Sequence, residues 1–310
     1  MIHRIKDASL HTKFLGLLNA LPANLPAAVG LTNNLRKSVL AAQLVDSARR
    51  IAYLNLVSAR SNSPSLHTPY SGSFQPLGGA AVFLRSGQVD DAYWLIYLAT
   101  HFGKHASDGW NLTEDFYGRF GQGGVWDWAN ASHQPQAIEN WLALNYPAVT
   151  GAGRPRRFGN HRKFETLKPG PKGTGYALRS YVDCIAGYGS HQALISAAQQ
   201  QVGQNPREVF AHLYRQLGNV SKLGRLGKFD LLCNWSNLMI APIFPDKAYI
   251  SESTGPKIGA KLLFGNQLNS ATLEAACTDL SEFLDVSAQV VEDSLCNWQK
   301  SPERYIYFRG

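Results

Sequence analysis

Apolar positions recur along most of this chain at three- and four-residue steps, the period of a helix that buries one face. The clearest case runs from Asn33 to Arg60, "NNLRKSVLAAQLVDSARRIAYLNLVSAR". There Leu35, Val39, Ala42, Val45, Ala48 and Ala52 form an apolar stripe, while Arg36, Lys37, Asp46, Arg49 and Arg50 lie elsewhere. The pattern predicts one long amphipathic helix with Val39 and Val45 buried. "NPREVFAHLYRQL" carries its own start signal: Asn205 as cap, Pro206 at the first helical position and Glu208 closing a capping box. "NLTEDFYGRF" repeats the device with Asn111 and Glu114. Ala271 to Lys300 reads as two helices broken at "LDVS", with Asp285 capping the second.

Extended signals are few. Only "KAYIS" and the terminal "RYIYFRG" look like strands, and both are short. Two polar stretches, Ser61 to Gln75 and Thr150 to Gly175, have the composition of loops, but each holds aromatic residues that need something to pack on. No internal repeat recurs at a fixed period. The expected fold class is therefore mainly α with few short strands. Residues 1–75 are expected to form an N-terminal helical extension packed on a core made by residues 76–310.

Composition adds limits. A chain of 310 residues with 45% hydrophobic content can bury a large core. It has no run of 18 apolar residues, and its first residues, "MIHRIKDASLHTKF", lack the apolar segment of a secretory signal. The expectation is a cytoplasmic monomer without a membrane partner. Cys184, Cys233, Cys277 and Cys296 are widely spaced and read as reduced thiols, because neither their spacing nor nearby histidines suit a zinc site.

Charge changes the picture most. The chain carries a net +8, and the segment Gly151 to Lys172 holds seven Lys/Arg against one acid, Glu165. A positive excess gathered in one Gly/Pro-rich stretch points to a polyanion, with nucleic acid first. Within it, "FGNHRKFETL" and the two arginines before it set Arg156, Arg157, His161, Arg162 and Lys163 around Phe158 and Phe164. Cations pair with phosphates and aromatic rings stack on exposed bases, so the two phenylalanines are candidate stacking residues. The plain alternative is that both anchor the loop to the core and only the charges face outward.

A second cluster is "LGNVSKLGRLGKFDLL", Leu217 to Leu232. A Gly-punctuated link with Lys222, Arg225 and Lys228 joins one helix to another that is expected to begin near Gly227. Backbone amides at a helix start attract phosphate. The stretch resembles a helix-hairpin-helix, with Gly227 at the hairpin's second glycine and Arg225 where the first is expected. An ordinary helix-helix turn fits as well.

The acids form the third cluster. Glu114 and Glu208 read as capping-box partners, Asp285 as a cap, and Asp46, Glu139, Glu274 and Glu282 as exposed helix charges. Asp108, Asp115, Asp127, Glu165, Asp183, Asp230, Asp246, Glu292 and Asp293 have no such explanation. Asp246 is the leading catalytic candidate, at the end of the apolar "LMIAPIF" run, which reads as helix, and before the candidate strand. Asp230, inside "KFDLL", is the reserve.

The blocks "YLATHFGKH", "FGNHRKFETL", "FDLLCNW", "STGPKIGAKLLFG" and "EDSLCNWQK" together resemble the alpha-glutamyl/putrescinyl thymine pyrophosphorylase family over residues 80 to 300. The resemblance implies a helix-hairpin-helix, DNA-glycosylase-like scaffold that swings a base out of duplex DNA, with a carboxylate near the hairpin. It also implies kinship with an anti-phage glycosylase that excises glucosylated bases, and so double-stranded, modified phage DNA as partner. Breaking the bond between C1' and a base leaves an oxocarbenium-like sugar that a carboxylate stabilises, so no metal or nucleotide cofactor is expected. A transferase that hypermodifies thymine and a DNA-binding module without chemistry are the alternatives.

Overall fold

The computed structural model describes residues 5–151, 156–162 and 165–307. Among them the chain forms fourteen α-helices. In order these are α1 (Ala8–Asn19), α2 (Asn34–Ala59), α3 (Pro76–Arg85), α4 (Val89–Phe102), α5 (Asn111–Tyr117), α6 (Trp128–His133) and α7 (Pro135–Gly151). There follow α8 (Thr174–Ala186), α9 (His191–Val202), α10 (Pro206–Gln216), α11 (Arg225–Asn237), α12 (Gly255–Phe264), α13 (Ser270–Phe283) and α14 (Ala288–Trp298). The fold is mainly α, as the apolar period requires. Among the described residues the only extended pairing is an isolated bridge between His105 and Gly109. Among the described residues neither expected strand forms: "KAYIS" passes through a left-handed Tyr249 (φ 52°) into a 3-10 turn, Ile250–Glu252, and residues 305–307 are irregular, while 308–310 of "RYIYFRG" lie outside the described residues. No helix among the described residues is long and apolar enough to cross a membrane.

The chain divides into two compact units, residues 1–53 with 244–310, and residues 54–243. The division falls inside α2, after Tyr53, so it does not coincide with a boundary at residue 75. Residues 1–53 share a unit with the C-terminal helices, and residues 54–75 belong to the other.

The first unit packs α12, α13 and α14 together, with Phe14 and Leu18 of α1 and Val39, Leu40, Leu44 and Val45 of α2 in one aliphatic core around Leu263, Leu273, Leu280, Val291, Leu295 and Trp298. Asn33 caps α2, its side chain accepting from the Arg36 N–H (2.9 Å). The stripe is buried in its middle, at Val39, Ala42 and Val45, and exposed at Leu35. Three acids differ from their expected places. Asp46 is buried and accepts the Tyr305 hydroxyl (2.9 Å), and Glu274 is buried and accepts from the Ser251 N–H (3.0 Å) and its hydroxyl. Asp285 does not cap α14, whose cap is Ser287. It takes the left-handed position after α13 (φ 54°), where its N–H and that of Val286 return to Glu282 O and Ser281 O.

The second unit is built around α4, in which every residue from Ala92 to Phe102 is buried. A helix apolar all round must be surrounded, and α3, α5, α6, α9 and α11 pack on it. Its aromatic residues meet a polar chain: His191 Nδ1–H donates to Asp90 (2.6 Å), and His191 Nε2 accepts the Tyr181 hydroxyl (2.9 Å). The Tyr181 ring stacks on Tyr97 at 3.6 Å between centroids. Asn205 caps α10 as expected, accepting from the Arg207 N–H (3.0 Å). In α5 the expected capping box is absent. Trp110 is the cap residue, and the buried Glu114 carboxylate turns inward to accept the Tyr70 N–H (2.8 Å).

Candidate nucleic-acid interface

The basic loop is pinned to the end of α4 by two glycines. The Gly159 N–H donates to Phe102 O (2.8 Å), and a Cβ on Gly159 would lie 2.8 Å from the Gly103 carbonyl carbon, so the backbones approach closely enough to exclude any side chain. Phe158 is half-buried against the rings of Phe102 (5.9 Å) and His101 (6.4 Å). It therefore anchors the loop. His161 is exposed. Lys163 and Phe164 lie outside the described residues.

Two loop arginines meet carboxylates. Arg156 is largely buried, pairs with Asp115 and lies 4.7 Å over the Phe120 ring. Arg157 grips Asp108 with two parallel bonds (2.8 and 2.7 Å) yet leaves 61% of its side chain exposed. The Arg157 bonds, working against desolvation and helped by His105, hold the Asp108 carboxyl below the usual carboxylate range. Asp115 also accepts the Tyr70 hydroxyl (3.1 Å). Tyr70 itself sits at φ 62°, a left-handed backbone that costs a non-glycine residue about 1–3 kcal/mol. Its contacts to Glu114 and Asp115 hold it there.

Arg162 joins the loop to the second cluster. Its Nε donates to Thr100 O (2.8 Å), and its Nη2 reaches Asp230 Oδ2 (3.4 Å). A Cβ on Gly227 would come within 3.2 Å of Arg162 Nη1 and 2.8 Å of Leu223 Cδ1. Glycine at 227 thus makes room for the arginine. Beside it, Lys222 Nζ lies 3.6 Å from Glu165 Oε2, an ion pair too long for a hydrogen bond. Asn234, one turn beyond Asp230 on α11, donates to Thr100 Oγ1 (3.2 Å). Behind this junction His101 is fully buried and donates to or accepts from Thr174 (3.2 Å); burial, with Arg162 and Lys222 nearby, pushes its pKa down to about 3.

The turn itself runs from α10 through a 3-10 segment, Leu217–Asn219, and a left-handed Lys222 (φ 61°) to Gly224. α11 begins at Arg225, two residues earlier than expected, because Gly224 takes the extended cap conformation and its carbonyl accepts the first helical bond from Lys228 (3.0 Å). Gly227 is therefore in the first turn of the helix. The Arg225 guanidinium lies over Phe229 (5.1 Å) and Lys228 Nζ over Tyr214 (4.0 Å), so both charged heads rest on aromatic rings.

Asp246 lies in the other unit from the loop and the turn. The apolar run before it is not a helix: α11 stops at Asn237, and Met239 is left-handed (φ 56°). Asp246 is half-buried, accepts the Tyr249 hydroxyl (2.8 Å), and burial raises its pKa above the usual carboxylate range.

The structure thus brings Arg156, Arg157, His161 and Arg162 into one unit with Lys222, Arg225, Gly227, Lys228 and Asp230. It adds residues that local pattern did not single out: Thr100, Asn234 and Tyr70. The aromatic content of the Ser61–Gln75 stretch was the one local sign of Tyr70.

No curated protein and no solved structure matches the chain. A family profile does, over residues 35–310, which takes in α2 as well as the blocks between 80 and 300. Its description is that of enzymes of thymine hypermodification, and the match spans most of the chain: the protein belongs to the alpha-glutamyl/putrescinyl thymine pyrophosphorylase family, clade 3.

Proposed function

We propose that the protein is a DNA N-glycosylase that takes a modified base, of the kind represented by glucosylated hydroxymethylcytosine in phage DNA, out of the duplex and excises it as antiviral defence. The observation that carries this reading is the junction at Arg162, where a basic loop, a hairpin-like turn and two carboxylates, Glu165 and Asp230, share one surface. Exposed Arg157 and His161, with Lys222, supply charge for the phosphates on either side of an extruded nucleotide. Lys163, Arg225 and Lys228 extend the same patch in sequence, and Phe164 remains the candidate for stacking on the opened helix, Phe158 serving as the loop's anchor.

The chemistry is hydrolysis. The bond between C1' and the base nitrogen breaks with its electron pair on the base, water oxygen bonds C1', and the water's proton passes to the departing base. Asp230 is the carboxylate placed first, since Arg162 orients it beside the turn; it stabilises the sugar cation and aligns water. Asp246, in the other unit, takes second place.

A second reading draws on the family description: transfer of an amine-bearing group onto a thymine base in DNA. The test separates the two. DNA carrying glucosylated hydroxymethylcytosine, and DNA carrying an activated thymine with putrescine, are incubated with the protein and analysed by mass spectrometry. Free modified base with matching abasic sites supports excision. Amine incorporated without base release overturns excision in favour of transfer, and no change in either DNA overturns both.

A further inference from the structure

α5 and α6 are joined by a glycine-rich loop, "GRFGQGGVW", whose arginine lacks the carboxylate partner that Arg156, Arg157 and Arg162 each have. We infer that Arg119 to Trp126 form an anion site that holds a phosphodiester of the DNA strand engaged in the proposed excision, a reading on which the inference rests.

The backbone of the loop is shaped for it. Arg119 (φ 48°), Phe120 (φ 60°) and Gly121 (φ 72°) are left-handed, Gln122 is right-handed (φ -77°, ψ 17°), and Gly123 (φ 90°) and Gly124 (φ 72°) reverse again. The Gly121 N–H donates to Gly118 O (2.8 Å) and that of Gln122 to Arg119 O (3.0 Å). Those of Gly123, Gly124 and Val125 donate to no acceptor among the described residues. A right-handed residue followed by a left-handed one turns successive N–H groups to one side, and such concavities take anions. Gly121 to Gly124 are exposed, and a Cβ on Gly123 would meet nothing within 4 Å, so the approach is open. Two adjacent non-glycine residues rarely adopt this backbone. Packing holds them here: the Phe120 ring meets Trp141 (6.1 Å) and carries the Arg156 guanidinium (4.7 Å).

Arg119 supplies the charge. Its guanidinium lies over the Trp126 ring at 3.9 Å, and its Nη1 stands 3.9 Å from where a Gly124 Cβ would be. It makes no ion pair or hydrogen bond among the described residues, and its Nε is buried without an acceptor. The same is true of the indole Nε1 of Trp126, a residue only 5% exposed. Buried donors normally find an acceptor, and here two stacked side chains lack one. An arginine stacked on an indole keeps the N–H groups along its edge for an oxyanion.

A phosphodiester suits both parts of the site. Its two non-bridging oxygens can accept from a guanidinium edge and from neighbouring backbone N–H groups, bonds strengthened by charge. The loop also adjoins the basic segment: Arg156 rests on Phe120, so Arg119 and Arg157 each stand one residue from that contact. A strand whose phosphates met exposed Arg157 would continue onto Arg119. Free phosphate offers the same oxyanion chemistry, and the experiment separates the two sources.

The protein is labelled with 15N at tryptophan indoles, and the Trp126 resonance is assigned with Trp126→Phe. It is titrated with inorganic phosphate and with a DNA duplex. Duplex affinity is measured in parallel by fluorescence anisotropy over a range of chloride concentrations for wild type, Arg119→Gln and Arg119→Lys. The expected result is a Trp126 shift with the duplex, a salt slope shallower by about one in Arg119→Gln, and recovery of the slope in Arg119→Lys. A Trp126 shift with phosphate but not with the duplex, at wild-type slope in Arg119→Gln, supports the anion site and overturns its place on the strand. A duplex that binds with the wild-type slope in Arg119→Gln, while neither probe moves Trp126, overturns the site and leaves the DNA reading standing. No duplex binding by the wild type overturns the DNA reading, and the phosphate arm then decides the site alone. The Trp126 shifts are read on wild-type protein, so they decide the site even where Arg119→Gln fails to fold.

Discussion

The two units bury different chemistry. The first unit's core is mostly aliphatic, Leu, Val and Ala side chains from α1, α2, α12, α13 and α14 with Phe14, Phe264 and Trp298 among them, and its polar groups meet in small sets such as Asp46 with Tyr305 and Asp293 with Ser47 and Arg50. The second unit buries Tyr93, Trp94, Tyr97, His101, Tyr181, His191 and Trp235, and threads acids among them at Asp90, Asp108, Glu114 and Asp115. Apolar burial needs only shape, whereas each buried polar group must find a partner at a set distance and angle. The first unit is thus organised for packing. The second fixes the positions of titratable side chains, which a reactive surface requires and a simple core does not.

The comparison breaks first at its largest side chains. Trp298, buried in the first unit with its indole N–H on Arg36 O (3.2 Å), is worth about 3–5 kcal/mol when cut to alanine. Urea unfolding of Trp298→Ala should show that loss, while strand affinity measured well below the midpoint stays at the wild-type value. A parallel loss of affinity in folded protein would erase the division of labour.

Next in size is the polar chain of the second unit. His191→Leu leaves the buried Tyr181 hydroxyl without its partner, at about 1–3 kcal/mol for a group left unsatisfied, while Asp90 keeps the backbone N–H of residue 191. Gln in place of Leu should recover part of it. Equal stability of the Leu and Gln variants in urea would mean that the ring is held by packing alone.

The two cores should also answer acid differently. Burial lowers the pKa of His101 to about 3, so it stays neutral in the fold and takes up a proton on unfolding; burial lowers that of His191 as well, against its bond to Asp90. The His101 contribution is complete above the unfolded value, about 6.5, and is lost as pH falls below it, at about 1.4 kcal/mol per pH unit. His101→Gln should lessen the slope of stability against pH between 4 and 6.5, read by urea midpoints. An unaltered slope would show that His101 is protonated in the fold.

The smallest effect sharpens the comparison inside the basic loop. Arg157, largely exposed, should contribute to phosphate contact, and Arg157→Ala should flatten the salt dependence of DNA binding by about one unit of slope. Arg156, packed on Phe120 and paired with Asp115, should not. Its alanine variant should lose stability and keep the slope; equal flattening in both would refute the distinction.

Much of the helical frame was legible locally. The stripe through Val39 and Val45, the Asn205 cap and the break before α14 all follow from residues a few positions apart. The acids were not legible in that way. Asp46 meets Tyr305, Glu114 meets Tyr70 and Arg162 meets Asp230 across long stretches of chain, so a carboxylate on a polar helix face could not be told from one facing a distant hydroxyl. "KAYIS" and "RYIYFRG" carry the aromatic and β-branched residues of strands but find no neighbour to pair with among the described residues, and propensity without a partner makes no sheet. Asp246 and Asp230 are close in sequence, yet the division after residue 243 assigns them to different units.

The central claim is that the carboxylate of the second unit performs the chemistry. It is tested most directly by counting alkali-labile abasic sites in glucosylated hydroxymethylcytosine DNA after treatment with wild type, Asp230→Asn and Asp246→Asn at matched strand occupancy. The account predicts that Asp230→Asn loses at least about two orders of magnitude in rate, the scale of one electrostatic contact in a transition state, while Asp246→Asn stays within a fewfold of wild type. Full activity in Asp230→Asn with loss in Asp246→Asn would contradict it.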